Sequence, residues 1–146
     1  MRRIHIGVAL IALTLLAQAA SAAELVVIVN PANPQAALDA KAVKSHFLKA
    51  VASWGNGEKV RPVDQAGDAA ARAAFVAKVL GMSAADLERY WLEKQYASAD
   101  NPPTKAPDDA SVIKLVKAFK GGIGFVSKDA AEAAGADVKV VLTVTY

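Results

Sequence analysis

Short apolar runs of strand length alternate with longer amphipathic segments along most of this 146-residue sequence. Residues 25–29 read Leu-Val-Val-Ile-Val, a continuous run of the kind found in strands that are buried on both faces. Further strands are predicted at residues 60–63, 123–126 and 138–144. The alternation predicts an α/β fold, with a small mixed, mainly parallel sheet of four or five strands flanked by helices.

The predicted helices share an apolar stripe that recurs every three or four residues. The stripe of the first helix includes Val51, and that of the fourth includes Phe119, so both side chains are expected to be buried. Residues 97–107 contain three prolines and are predicted to form a loop. The helices are expected at about residues 39–52, 68–80, 84–96, 109–120 and 127–135.

The N-terminus has the pattern of an export signal. Arg2 and Arg3 precede an apolar run, residues 4–16, and the small residues Ala-Ser-Ala follow it. The run is shorter than the roughly 20 residues of a membrane-spanning helix, although an uncleaved anchor is the alternative. The sequence therefore predicts a cleavable signal peptide at residues 1–22, one periplasmic domain at 23–146, and membrane contact only before cleavage.

Charge and composition exclude several classes of function. The formal net charge is +3, and two of these charges are Arg2 and Arg3 in the predicted signal peptide, so no basic face for nucleic acid is expected. Cysteine is absent, and His46 is the one histidine of the predicted domain. Since catalytic triads and zinc sites need histidine or cysteine, we predict no enzyme activity, no catalytic residue, no metal and no cofactor. His46 is expected to be half-buried beside the core or at the surface.

Residues 59–81 are predicted to form a short strand, a glycine-containing loop and a helix. A loop that leads into a helix N-terminus can hold an anion, because free backbone N–H groups and the positive end of the helix dipole meet there. This loop, however, carries Asp64 and Asp68. Asp68 is expected to cap the helix, and the alternative that the two carboxylates form an acid/base pair is less favoured.

Polar residues follow three predicted strands, in the loops at residues 30–35, 64–68 and 127–129. The carboxyl ends of parallel strands are the usual ligand position in open α/β sheets. Trp54, in a turn beside two glycines, is expected either to pack in the core or to contact a ligand or partner. The candidate ligand-binding residues are Asn30, Arg61, Asp64, Gln65, Gly67, Asp68, Arg72 and Ser127.

The order and spacing of several segments resemble the small PBP-like proteins, usually described as phosphate ABC-transporter substrate-binding-like domains. The resemblance covers nearly all of residues 24–144 and is carried mainly by SHFLKAVASWGNG, by the Tyr90-Trp91 pair and by GIGFV. It implies a short version of the type II periplasmic binding protein fold. It also implies an exported protein that binds phosphate or another small polar solute for transport or sensing, with a membrane permease or a sensor protein as its partner.

The resemblance also implies where a ligand would bind. Phosphate-binding relatives are about twice as long and hold phosphate with an arginine and a Gly-Ser-Gly-Thr-like loop before a helix. The arginine position falls on Asp64 here, and the loop falls on or near Gly67–Ala70, where there is no hydroxyl. Since a carboxylate repels a dianion, the alternative is a non-enzymatic envelope protein-interaction module that has lost its ligand.

Overall fold

The computed structural model describes residues 22–146. The predicted signal peptide lies outside the described residues, apart from Ala22. Within residues 22–146 no helix combines the length and hydropathy that crossing a bilayer requires.

Strands and helices alternate along the described residues, as predicted. Helix α2 continues without a break into a π-helical segment, Phe75–Val79, and a 3-10 turn, Gly135–Asp137, precedes the last strand. In chain order the elements are β1 (Glu24–Val29), α1 (Ala40–Phe47), β2 (Arg61–Gln65), α2 (Ala69–Ala74), α3 (Ala84–Ser98), β3 (Thr104–Ala106), α4 (Asp109–Ala118), β4 (Gly122–Ser127), α5 (Lys128–Ala134) and β5 (Lys139–Thr145).

The five strands of the described chain form one sheet in the order β3-β2-β4-β1-β5. Strand β2 pairs in parallel with β3 and β4, whereas β1 is antiparallel to both β4 and β5. All strands except β1 therefore point the same way, which confirms the predicted mixed, mainly parallel sheet. Because β1 is reversed, it ends at the edge of the sheet opposite to the ends of β2 and β4.

Strand β3 lies inside the segment that was predicted to be a loop. Its three residues pair with the end of β2, with Asp64 in register with Lys105 and Gln65 with Ala106. The segment has no apolar run of strand length, and two prolines precede it, so local sequence gives no strand signal. The pairing with β2 therefore makes it a strand.

Helices cover both faces of the sheet. Helices α1, α2 and α3 share one apolar cluster with β1 and β4, and helices α4 and α5 share another on the opposite face. Three aromatic rings fill the centre of the first cluster: Phe75 stacks on Phe125 with ring centroids 4.2 Å apart, and Phe47 meets Phe75 edge-on at 4.7 Å. In this three-layer arrangement the starts of α4 and α5 lie next to the ends of β2 and β4.

Two side chains that were predicted to be buried are exposed. Helix α1 ends at Phe47 because Lys49 has a positive φ of 55°, so Val51 lies outside the helix and is 44% exposed. Phe119 follows α4 in an extended conformation and is 38% exposed, with the Arg61 guanidinium 4.6 Å from its ring centroid. Both predictions extended a helical stripe past the residue at which the helix ends.

Helix α3 is tied to the end of α1 by polar contacts. The Tyr90 hydroxyl donates to the Leu48 carbonyl at 2.5 Å, and Lys94 Nζ donates to the carbonyls of Leu48 and Lys49 at 3.1 and 3.2 Å. These carbonyls lack partners within α1 because they lie at its C-terminal end. The contacts fix α3 to the end of α1, and a groove lies between α3 and α2.

Candidate functional site

At the end of β2, the side chains of Asp64 and Gln65 lie on opposite faces of the sheet. Asp64 points toward α2, where the Arg72 guanidinium donates to both of its carboxylate oxygens at 3.0 to 3.2 Å. This two-pronged geometry is the strong form of an arginine–carboxylate contact. The positive charge of Arg72 is therefore already balanced by Asp64.

Gln65, the next residue, enters a closed polar network on the α4 side. Its side chain is 2% exposed, and its Nε2 donates to Asp109 Oδ1 at 2.6 Å and to the Phe125 carbonyl at 3.3 Å. Ser127 donates to the same carboxylate twice, from its backbone N at 3.3 Å and from Oγ at 2.7 Å. The hydrogen-bond donors at the ends of β2 and β4 thus already hold an anion, the carboxylate of Asp109.

Carboxylates also occupy the starts of the helices at this edge. Asp68 accepts a hydrogen bond from the backbone N of Ala71 at 3.0 Å, which confirms its predicted capping role. Asp108 caps α4 in the same way through the backbone N of Ser111 at 2.8 Å, and hydrogen bonding to Ser111 lowers the pKa of Asp108. These caps satisfy helix N–H groups that an external anion would otherwise bind.

Gly67 is required by the close approach of two loops. A Cβ atom at this position would lie 1.9 Å from the carbonyl oxygen of Pro107. The adjacent backbone N of Ala66 donates to the Ala106 carbonyl at 2.9 Å, which continues the pairing of β2 with β3. Gly67 therefore allows the loop after β2 to pack against the backbone of Pro107.

The predicted site residues Asn30 and Arg61 lie at the opposite edge of the sheet, so the expectation that they join the other candidates is wrong. Asn30 follows the reversed strand β1, and its Nδ2 donates to the carbonyls of Val116 and Lys117 at 3.1 and 3.0 Å, at the end of α4. Arg61 begins β2, whereas the site lies at its end. The direction of β1 is the physical reason that Asn30 is displaced.

His46 and Trp54 form a buried contact rather than an exposed site. Their ring centroids are 4.2 Å apart, and Trp54 Nε1 donates to the Gly121 carbonyl at 3.0 Å. Both side chains are buried, so the packing alternative holds for Trp54. Burial lowers the pKa of His46, and a hydrogen bond with the Val51 carbonyl opposes this effect in part. Among residues 22–146 no group of three or more side chains is arranged to hold a metal ion.

A groove opens on the Asp64 side, between α2 with its π-helical segment, α3 and the residues that lead into β3. Its volume is about 410 Å³. Asp64, Arg72 and Lys105 lie together and form its polar part, Glu88 and Gln95 of α3 are further polar lining residues, and the rest of the lining is apolar. Its principal apolar lining residues are Phe47, Phe75, Leu87, Trp91, Leu92 and Pro103.

Sequence reasoning missed three residues of this edge. Asp109 was not among the predicted site residues, and Lys105 lay in a predicted loop. Tyr146, the last residue of the sequence, is half-buried; burial first, and then the charges of Asp68 and Asp109, raise its pKa. The adjacent acids Asp108 and Asp109 were a visible signal, since one cap needs one carboxylate and leaves the other for a different contact.

No family model and no curated protein sequence matches this chain. Solved structures do match its fold. A protein from Clostridium perfringens, assigned as a phosphate ABC transporter substrate-binding protein and solved with bound phosphate, aligns over 82% of this chain and 45% of its own, with a TM-score of 0.62 and 17% identity.

Two further structures align over the same share of this chain. An ABC-type phosphate transport receptor from Vibrio cholerae has a TM-score of 0.61 and 18% identity, and PstS from Borrelia burgdorferi has 0.61 and 11%. The chain covers 46% and 47% of these two proteins, so it spans about half the length of the structures it matches. The comparison confirms the periplasmic-binding-protein-like fold that the resemblance implied.

Proposed function

We propose that this chain is an exported, non-enzymatic substrate-binding domain that captures a small polar solute for a membrane permease or a sensor protein. The observation that carries the proposal is the fold match over 82% of the chain to proteins named for phosphate binding and phosphate transport. The groove beside the end of β2 supports it, because its volume of about 410 Å³ lies within the range of small-ligand sites.

Free phosphate is a poor candidate for the ends of β2 and β4. Asp109 occupies the donors of Gln65 and Ser127, and Asp64 accepts from two of the three guanidinium nitrogens of Arg72 and balances its charge. A phosphate dianion at the donors of Gln65 and Ser127 would have to displace Asp109 while lying next to Asp68. We therefore propose that the solute binds in the groove, at the polar part that contains Asp64 and Arg72.

A ligand screen tests the proposal. Thermal unfolding of the purified protein is measured with phosphate, sulfate, small carboxylates and neutral polar solutes. A ligand that binds only the folded state adds about 2.7 kcal/mol at one hundred times its Kd, so binding at the screened concentration raises the Tm. The absence of any shift at millimolar concentration across the panel would contradict solute binding.

Export is tested separately. The protein is expressed with its full sequence in a bacterial host, and the mass of the periplasmic species is measured. We expect cleavage after Ala22, with Ala23 as the new N-terminus. A protein that retains residues 1–22 in the membrane fraction would support the anchor alternative and contradict the proposed periplasmic release.

A second candidate function is an envelope protein-interaction module. Two observations favour it: the donors at the ends of β2 and β4 are filled by the chain's own carboxylates, and α3 exposes Leu92 by 52% and Tyr96 by 92%. Its test places a photocrosslinking residue at Tyr96 in living cells and a control crosslinker at Lys114. One defined partner that is captured only from Tyr96 supports this function, and equal capture from both positions contradicts it.

A further inference from the structure

The groove has a polar part and an apolar part, and this division determines the kind of ligand that fits. Asp64, Arg72 and Lys105 form the polar part. Side chains from the π-helical segment Phe75–Val79 and from α3 form much of the apolar wall, and most of them belong to the core cluster of this face. Such a site suits a molecule with one charged group and a hydrophobic body.

The polar part carries an excess of one positive charge. Asp64 and Arg72 balance each other through their two-pronged contact, whereas Lys105 lies beside Asp64 in the register of the parallel pair β2–β3. Within residues 22–146 Lys105 has no ion-pair partner. Its ammonium group and the outer N–H groups of Arg72 can therefore receive a monoanion without leaving a carboxylate unpaired.

The apolar part has surface that is still exposed to water. Trp91 and Leu87 are anchored in the core, whereas Leu92 lines the groove and is 52% exposed. A hydrophobic ligand body would cover this surface, which inorganic phosphate would leave wet. Glu88 also lines the groove, from α3, and its side chain is exposed like that of Lys105, so the groove lining as a whole has two acidic and two basic residues. The preference for an anion therefore depends on the position of Lys105 next to the paired Asp64 and Arg72.

We propose that the groove binds small amphipathic carboxylic acids, with the carboxylate at Lys105 and Arg72 and the hydrophobic body against α3. This inference rests on the proposed solute-binding function and names the ligand class for the same site. Lys105 supplies specificity for the acid over its neutral analogue, because the amide of the same acid keeps the hydrophobic body and loses the charge.

The test compares phenylacetate, phenylacetamide and inorganic phosphate by isothermal titration calorimetry at neutral pH. We expect phenylacetate to bind about tenfold more tightly than phenylacetamide, since a charge-assisted contact is worth roughly that factor. Lys105→Gln should remove most of this difference by weakening phenylacetate alone. The matched control, Lys114→Gln, changes an exposed lysine of α4 on the other face and should leave both affinities unchanged.

A second variant tests the hydrophobic contact. Leu92→Ser should weaken phenylacetate and phenylacetamide by the same factor, about threefold to tenfold, because both lose the same covered surface. Val140→Ser, at an exposed apolar residue of β5, is the control and should change neither affinity.

The outcomes separate the inference from the function on which it rests. Binding of phosphate without phenylacetate would overturn the ligand class and leave solute binding intact. Binding of neither, with no other ligand in the wider screen, would overturn both. Equal affinities for acid and amide in the unmodified protein, or no effect of Lys105→Gln, would overturn the assigned role of Lys105.

Discussion

Asp64 and Gln65 are neighbours in β2, yet their side chains leave the strand on opposite faces and enter different surroundings. On the α4 face, the buried amide of Gln65 meets Asp109 and the donors of Ser127, so polar groups satisfy one another. On the α2 face, Asp64 pairs with Arg72 at the margin of a groove of about 410 Å³. On the α4 face the carboxylate of Asp109 fills the strand ends, and on the α2 face the strand end borders an open groove.

This difference shows that the fold alone does not determine what the strand ends bind. The ends of β2 and β4 still present hydrogen-bond donors, as the fold leads one to expect. What those donors hold is decided by single residues such as Asp109. Three substitutions and one pH dependence test the α4 face, which Asp109 closes, the loop at Gly67 and the α2 face, which borders the groove. They follow in order of decreasing expected effect.

Gly67→Ala should have the largest effect, because the loop that separates the two faces has no room for a side chain. The added Cβ would lie 1.9 Å from the Pro107 carbonyl oxygen, so backbone must move. We expect a loss of about 3 kcal/mol in the free energy of unfolding, measured by urea denaturation. Gly55→Ala, where nothing lies within 4 Å, is the control and should change stability by less than about 0.5 kcal/mol. Equal effects of the two substitutions would contradict the close approach.

Asp109→Ala should weaken the closed face. The substitution leaves the Ser127 hydroxyl and one contact of the buried Gln65 amide without an acceptor, which costs about 2 kcal/mol. The control Asp129→Ala removes an exposed carboxylate from the first turn of α5 and should cost about 0.5 kcal/mol or less. If Asp109→Ala is as mild as its control, the network does not hold this face together.

Asp64→Asn should have a smaller effect on stability, because the pair that it breaks is half-buried and reaches the groove. We expect a loss of about 1 kcal/mol in the free energy of unfolding. Asp137→Asn breaks the more exposed pair with Lys117 and should change stability by less than about 0.5 kcal/mol. A larger loss for Asp64→Asn than for Asp109→Ala would reverse the ranking of the two faces.

The smallest effect is a pH dependence from His46, which lies in the core behind the groove face. Burial lowers its pKa below 6.5, so the unfolded chain binds a proton that the folded chain resists. Stability from the neutral ring is therefore complete above pH 6.5 and declines as the pH falls from 6.5 toward the folded pKa. The free energy of unfolding of His46→Gln, measured across this pH range, should lack this decline. A decline as large as in the unmodified protein would contradict the assignment to His46.

Local patterns predicted the elements, and nonlocal contacts decided the site. The apolar run at residues 25–29, the buried stripe around Phe75 and the Asp68 cap were predictable, because each depends on near neighbours in sequence. The direction of β1 depends on its pairing with β4 and β5, and an apolar run is the same in either direction. Because β1 runs in the opposite direction to β2 and β4, Asn30 lies at the other edge of the sheet from the remaining candidate residues.

Asp109 and Lys105, which distinguish the two faces, could not be predicted as site residues because their roles also depend on nonlocal contacts. Asp109 contacts Gln65, which is 44 positions away in sequence, and no local pattern indicates which of two adjacent acids will cap a helix. Lys105 reaches the groove because three residues without an apolar run pair with β2. Both depend on tertiary pairing, which a single sequence does not reveal.

The most direct test of which face binds a ligand is a titration with two ligands, in which the amide chemical shifts of the isotope-labelled protein are followed. Phenylacetate should shift the amides of Lys105 and Leu92 in a saturable way and leave those of Gln65, Gly67 and Ser127 unchanged. Inorganic phosphate at the same concentration should shift neither set saturably. Saturable phosphate shifts at Gln65, Gly67 and Ser127 would contradict the account, because they would place an external anion on the face that Asp109 closes.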